Sequence, residues 1–137
     1  MKKSILLSLF LMLSVVIYTQ ALETPFKQIE KIFSAAFSWE KTVHDFGKIP
    51  QGTPVEAVFE FTNTGDAPLI ISNAKGSCGC TVPSYTNTPI APGETGKVKA
   101  VFNAAAVGAF NKTITLTANT ETATTVLRIK GEVVAKN

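Results

Sequence analysis

Cysteine is nearly absent from this 137-residue sequence: there are two, Cys78 and Cys80, with only Gly79 between them. No second cysteine pair exists, so a four-thiolate zinc site is excluded, and the spacing is not the Cys-x-x-Cys of thioredoxin-like sites. Histidine occurs once, as His44, and its neighbour Asp45 cannot orient it in a strand, because adjacent side chains point to opposite faces. The acidic residues are scattered through turns and exposed strand faces, with no carboxylate pair at a useful spacing for acid–base work. Glycine-rich phosphate loops are also missing. These absences predict that the chain is not an enzyme.

What is present first is an export pattern. Met1-Lys2-Lys3 is a basic start, Ile5 to Ile17 is apolar except for Ser8 and Ser14, and Thr19-Gln20-Ala21 ends in a small residue suited to cleavage. The apolar run is shorter than the roughly 20 residues that span a bilayer, so residues 1–21 are expected to be a cleaved signal peptide. No transmembrane segment is expected after cleavage, and no cysteine follows the apolar run to carry a lipid. Removing 1–21 leaves 137 − 21 = 116 residues and a formal charge of 11 − 10 = +1, because Lys2 and Lys3 go and no acidic residue does. Neither nucleic acid nor an anionic membrane surface is therefore an expected partner. Both methionines, Met1 and Met12, also go, which removes thioether ligands from any metal site. The expected location is outside the cytoplasm, in a periplasm, on the cell surface or secreted. There two thiols should be paired, metal-bound or protected.

Residues 22–38 carry a helical pattern, with Thr24 as cap, Pro25 in the first turn, and Phe26, Ile29, Ile32, Phe33, Ala36 and Phe37 spaced by three and four. This predicts an amphipathic helix or linker, packed on the domain or docking to a partner or membrane surface. From Trp39 the period becomes two, and 39–137 is expected to be a single β-sandwich domain. The predicted strands are Thr42–Phe46, closed by Gly47, and Pro54–Asn63, with Val55, Ala57, Phe59 and Phe61 on one face. Pro68–Asn73 follows, covered on both sides, and then a short strand starting at Cys80–Val82 before a loop over Pro83–Pro92. Thr95–Asn103, Phe110–Asn119 and Thr124–Val134, bent at Gly131, complete the set. About seven short strands separated by turn signals, with no alternating helices, predict an all-β, immunoglobulin-like antiparallel two-sheet sandwich. Trp39 is expected to pack at a sheet edge.

Several ordered motifs carry a resemblance: His44-Asp45-Phe46-Gly47-Lys48-Ile49, Phe59-Glu60-Phe61-Thr62-Asn63-Thr64-Gly65, Cys78-Gly79-Cys80-Thr81, Pro92-Gly93-Glu94 and Gly108-Ala109-Phe110. Over Trp39 to Ala135 the chain resembles the bacterial exported family called domain of unknown function fifteen-seventy-three. The resemblance implies an immunoglobulin-like sandwich of the type seen in pilus chaperones, major sperm protein and hydin repeats. It brings no activity with it, so function rests on the residues.

The cysteine pair admits three readings. In an extended strand, Cα atoms two apart lie about 6.6 Å from each other, near the upper limit of about 6.8 Å for a disulfide. A Cys78–Cys80 bridge therefore needs a turn at Gly79, a position where glycine's freedom helps, and so small a ring is expected to be easily reduced. Alternatively both thiolates bind copper or zinc, with His44 as third ligand if the first strand lies alongside. The third reading is thiol exchange, with Lys75 close enough in sequence to lower a thiol pKa. The expected function is a non-catalytic module for protein interaction or assembly in the cell envelope, with another envelope or secreted protein adding a strand to an exposed edge. Metal binding or thiol redox at Cys78 and Cys80 is the alternative, and glycan binding, for which only Tyr85 offers an exposed aromatic, ranks last.

Overall fold

The computed structural model describes residues 32–136, so the expected signal peptide and most of the expected 22–38 helix lie outside the described residues. Eight strands follow one another: β1 (Phe37–Trp39), β2 (Val43–Pro50), β3 (Val55–Asn63), β4 (Ile71–Gly76), β5 (Thr81–Tyr85), β6 (Thr95–Phe102), β7 (Gly108–Ala118) and β8 (Thr124–Val134). They form two four-stranded sheets, ordered β1-β3-β6-β5 and β2-β8-β7-β4. This is an immunoglobulin-like sandwich, with eight strands where about seven were expected.

The core follows from period-two patterning, since alternate side chains share a face. Ala57, Phe59 and Phe61 of β3 and Val98, Ala100 and Phe102 of β6 meet Ile114 and Leu116 of β7 and Leu127, Ile129 and Val133 of β8, all essentially buried. Among the described polar residues only Asn63 and Thr81 are buried. The Asn63 side chain is fully satisfied. Its Nδ2 donates to the carbonyls of Ala67 (2.8 Å) and Ile90 (2.9 Å), and its Oδ1 accepts from the amides of Gly65 (3.0 Å) and Ala36 (3.3 Å). One amide thus joins the approach to β1, the β3–β4 turn and the segment before β6.

Five expectations need correction. Residues 32–38 are not helical: Ala35 bridges to Thr120 and Phe37–Trp39 pairs antiparallel with β3 as an edge strand. Phe37 and Trp39 alternate onto the inner face, where each ring lies 4.9 Å from that of Phe61, and this packing outweighs the helical spacing. The sandwich therefore begins before Trp39. The first long strand does not stop at Gly47, because β2 runs on to Pro50 through a bulge between Asp45 and Lys48, with Gly47 at φ 64°. Glycine adopts that left-handed conformation readily. The Asp45 carboxylate caps the bulge by accepting from the Gly47 amide at 2.8 Å. Its pKa is held below the ordinary value first by that bond and then by Lys130.

β2 also pairs parallel with β8, so one strand pair departs from the expected antiparallel sheet. The Leu69–Ile71 run is not covered on both sides, for Leu69 and Ile71 are buried while Ile70 is exposed at an edge. Finally, the predicted loop after Val82 remains strand through Pro83 to Tyr85. β5 is an edge strand, where a missing amide is tolerated. β8 has the expected bounds and pairs with β7 continuously through Gly131. A Cβ at Gly131 would lie 2.7 Å from the Gly47 carbonyl and 2.9 Å from the Phe110 ring, so close approach explains that glycine.

Candidate functional site: sheet edges and the cysteine corner

An unpaired strand edge is a feature by which a sandwich can take up another chain, and the four edges here differ. On one side of the sandwich lie β4 and β5. The amide of Thr86 donates to Lys97 (3.0 Å) and that of Asn103 to the Cys80 carbonyl (3.1 Å). With antiparallel register, residues 80, 82, 84 and 86 thus face β6, and Thr81, Pro83 and Tyr85 present their backbone outward. Pro83 has no N–H to offer, and the Thr81 amide is turned back onto the Cys78 carbonyl at 3.3 Å. The β4 edge is stitched to β5: the Tyr85 hydroxyl donates to the Ser72 carbonyl at 3.2 Å, and a Cβ on Gly76 would come within 2.5 Å of the Thr81 carbonyl oxygen.

The other side carries β1 and β2. On β2 the Arg128 amide donates to Thr42 (2.8 Å) and the Gln51 amide to Val134 (2.9 Å), which leaves Val43, Asp45 and Pro50 facing outward. The bulge, the charges of Asp45 and Lys48 and the missing amide of Pro50 blunt that edge. On β1 the amide of Thr64 donates to Ala36 (3.0 Å) and that of Glu40 to Glu60 (3.1 Å), so residues 36, 38 and 40 face β3. Phe37 and Trp39 present both amide and carbonyl outward, with no proline, bulge or charge in the strand. Beside β1, Ile32 and Phe33 are 86% and 63% exposed and line a shallow hollow with Asn119, Thr120 and Glu121.

The cysteine corner joins β4 to β5. Cys78 and Cys80 are disulfide-bonded with their Cα atoms 5.2 Å apart, inside the disulfide range that an extended strand exceeds. The turn at Gly79 was expected, but the need for glycine was not met: φ at Gly79 is not left-handed, and a Cβ there would touch nothing within 4 Å. A β-turn closed by the Thr81 amide makes the approach without positive φ. His44 does not join the pair. It sits on β2, the opposite edge of its sheet from β4 with β8 and β7 between, about 14 Å away at ordinary strand spacing. The expected three-ligand set of Cys78, Cys80 and His44 is thus not assembled. His44 instead packs against Phe46, ring centroids 4.5 Å apart and planes tilted by 52°, with Nδ1 3.0 Å from the Lys41 ammonium. Burial first and Lys41 second lower its pKa, against a smaller opposing pull from Asp45. Lys75 points to the outer face beside Thr115, and Tyr85 turns its ring toward the core while its hydroxyl holds Ser72.

Residues 37–133 match the model of a family described as Protein of unknown function (DUF1573). None of the curated proteins matches the chain. Among solved structures the chain is similar to a protein of unknown function from Porphyromonas gingivalis W83, with a TM-score of 0.65 at 16% identity over 80% of this chain and 51% of that one. It is similar also to an ASH/PapD-like domain of human CEP192, with a TM-score of 0.61 at 13% identity over 85% of this chain and 98% of that one. The VesB protease of Vibrio cholerae matches with a TM-score of 0.59 at 18% identity over 73% of this chain and 32% of that one. The chain thus spans about half the length of the Porphyromonas gingivalis protein. At these identities the likeness is one of fold.

Proposed function

The chain belongs to the DUF1573 family, and from that premise we propose that it is a non-catalytic exported module of the cell envelope, to which another envelope or secreted protein adds an extended segment along β1. The observation that carries this reading is the difference between edges. β2 and β5 each have a proline facing outward, β4 is covered by Tyr85 and β5, and the outward-facing backbone groups of β1, at Phe37 and Trp39, are interrupted by no proline, bulge or charged side chain. A strand added there gains main-chain hydrogen bonds, and side-chain hollows beside the edge select it. The apolar flank of Ile32 and Phe33 favours a segment with apolar residues at alternate positions. Two facts support a non-enzymatic role: burial and a neighbouring lysine lower the pKa of the lone histidine, and no three metal-ligating side chains converge among the described residues.

The test is affinity capture of envelope proteins by the tagged protein and by an Ile32→Lys/Phe33→Lys variant. The proposal expects one envelope protein to be retained by the native chain and lost with the variant. A native chain that stays monomeric and retains nothing, or a variant that captures equally well, contradicts it.

A further inference from the structure

The cysteine corner takes no part in strand addition at β1, yet it holds the described residues' one covalent cross-link. We propose that Cys78–Cys80 is a thiol–disulfide exchange site for exported dithiols, acting on the β4–β5 corner without unfolding it.

Three observations converge on this. First, the bond links residues only two apart. A loop this short restricts the unfolded chain least, so the cross-link adds less to folding than a bridge between distant strands would. The corner is also held without it. The Ser77 amide donates to Thr113 (2.8 Å), the Thr113 amide to Ser77 Oγ (3.1 Å), the Asn103 amide to Cys80 (3.1 Å) and the Thr81 amide to Cys78 (3.3 Å). Second, the bond is approachable: both cysteines are partly exposed, and Gly79 between them is exposed with no atom within 4 Å of where a Cβ would stand. Third, a group waits for the charge that reduction releases. Thr81 is 3% exposed, and its Oγ1 lies 3.8 Å from Cys78 Sγ. A hydroxyl at that position donates to a Cys78 thiolate and favours it, as hydrogen bonding to a charged form does.

The exchange balances as follows. One thiolate of the dithiol attacks Cys80 Sγ, forming a mixed disulfide, while the Cys78–Cys80 bond breaks and Cys78 leaves as a thiolate held by Thr81. The second thiol of the dithiol loses its proton and attacks its own mixed-disulfide sulfur. Cys80 is released, and both cysteines take up protons. The dithiol is oxidised to a disulfide by two electrons, and the corner is reduced by two. Cys78 and Cys80 are the exchanging groups, and Thr81 is a positioning residue acting through Cys78.

Intact-mass measurement of the native protein in glutathione buffers of graded ratio tests this, with thermal unfolding of the same samples. The expected result is a two-hydrogen gain that tracks the ratio in millimolar glutathione, while the unfolding midpoint moves by less than about 4 °C. A bond that stays oxidised in excess reduced glutathione, or that opens only as the sandwich unfolds, overturns the proposal. A second readout is the pH profile of thiol alkylation. In a Cys80→Ser background, Thr81→Val is expected to raise the apparent pKa of Cys78 by about one unit, a tenfold change in thiolate fraction. If Cys80→Ser does not fold, the reduced native chain and its Thr81→Val form supply the same comparison. An unchanged profile overturns the role of Thr81.

Discussion

The two sides of the sandwich solve the same problem differently. Where β4 and β5 meet, the chain turns directly from one sheet into the other, with Gly76, the Cys78–Cys80 turn, Pro83 and the Tyr85 hydroxyl closing what would have been two open edges. Where β1 and β2 meet, the chain also crosses between sheets, but only β2 is blunted, by its Gly47 bulge and Pro50. A sheet edge left unguarded exposes a row of unpaired donors and acceptors, which proteins ordinarily avoid. That three edges are guarded and one is not is the contrast on which the proposed strand addition at β1 rests.

Substitutions can break or sharpen that contrast. The largest effect is expected at Asn63, whose amide makes four bonds and ties Ala36 to the β3–β4 turn. Asn63→Ala should cost about 3 kcal/mol, since it strands buried carbonyls and amides. In denaturant melts with residue-resolved hydrogen exchange, the loss of protection should spread from β1 and spare the β4–β5 corner. Next, Pro83→Val supplies β5 with an outward amide. Its stability should change little, but the variant is expected to self-associate in sedimentation at concentrations where the native chain does not. If it remains as monomeric as the native chain, Pro83 is not what guards β5. Tyr85→Phe removes the bond to Ser72, which is exposed, and is expected to cost about 0.5–1 kcal/mol and to speed exchange along β4.

The smallest effect concerns pH on the β1–β2 side. Burial and then Lys41 depress the His44 pKa below 6.5 in the folded state. An unfolded chain therefore takes up its proton at higher pH than the native one. Stability present above about pH 6.5 should decline as pH falls through the window between that value and the lower folded one. The ring is only partly buried, so the decline should be slight, and His44→Phe should remove it.

Much of this fold was legible in the sequence, and the reasons for the rest are physical. β3, β6 and β8 stood out because strict alternation on a half-buried sheet leaves a period of two, seen at Ala57-Phe59-Phe61 and Val98-Ala100-Phe102. β1 did not, because three residues are too few to separate a period of two from one of 3.6, and Phe33 and Phe37 fit both. Only contact with Phe61 decides it. Strand direction is carried by no side chain, so the parallel β2–β8 pair was hidden. Pro83 looked like a loop because proline's exclusion from strands does not extend to edges. Asn63 was expected as the last residue of the Pro54–Asn63 strand, with no buried role. The overlooked signal was its place two residues after Phe61, on the inward face of β3. The cysteine pair left three readings open because each depends on backbone geometry at Gly79, which residue type alone does not set. The distance from His44 depends on sheet order, which periodicity does not reveal either.

The central claim is that a partner strand adds at β1 and not at the guarded side. Its most direct test places a photo-crosslinking residue either at Ser38, on the outer face of β1, or at Ser84, the matching position on β5, in the cells that produce the protein. The account predicts an adduct with an envelope protein from position 38 and none from position 84. An adduct from position 84 alone, or from neither, would contradict it.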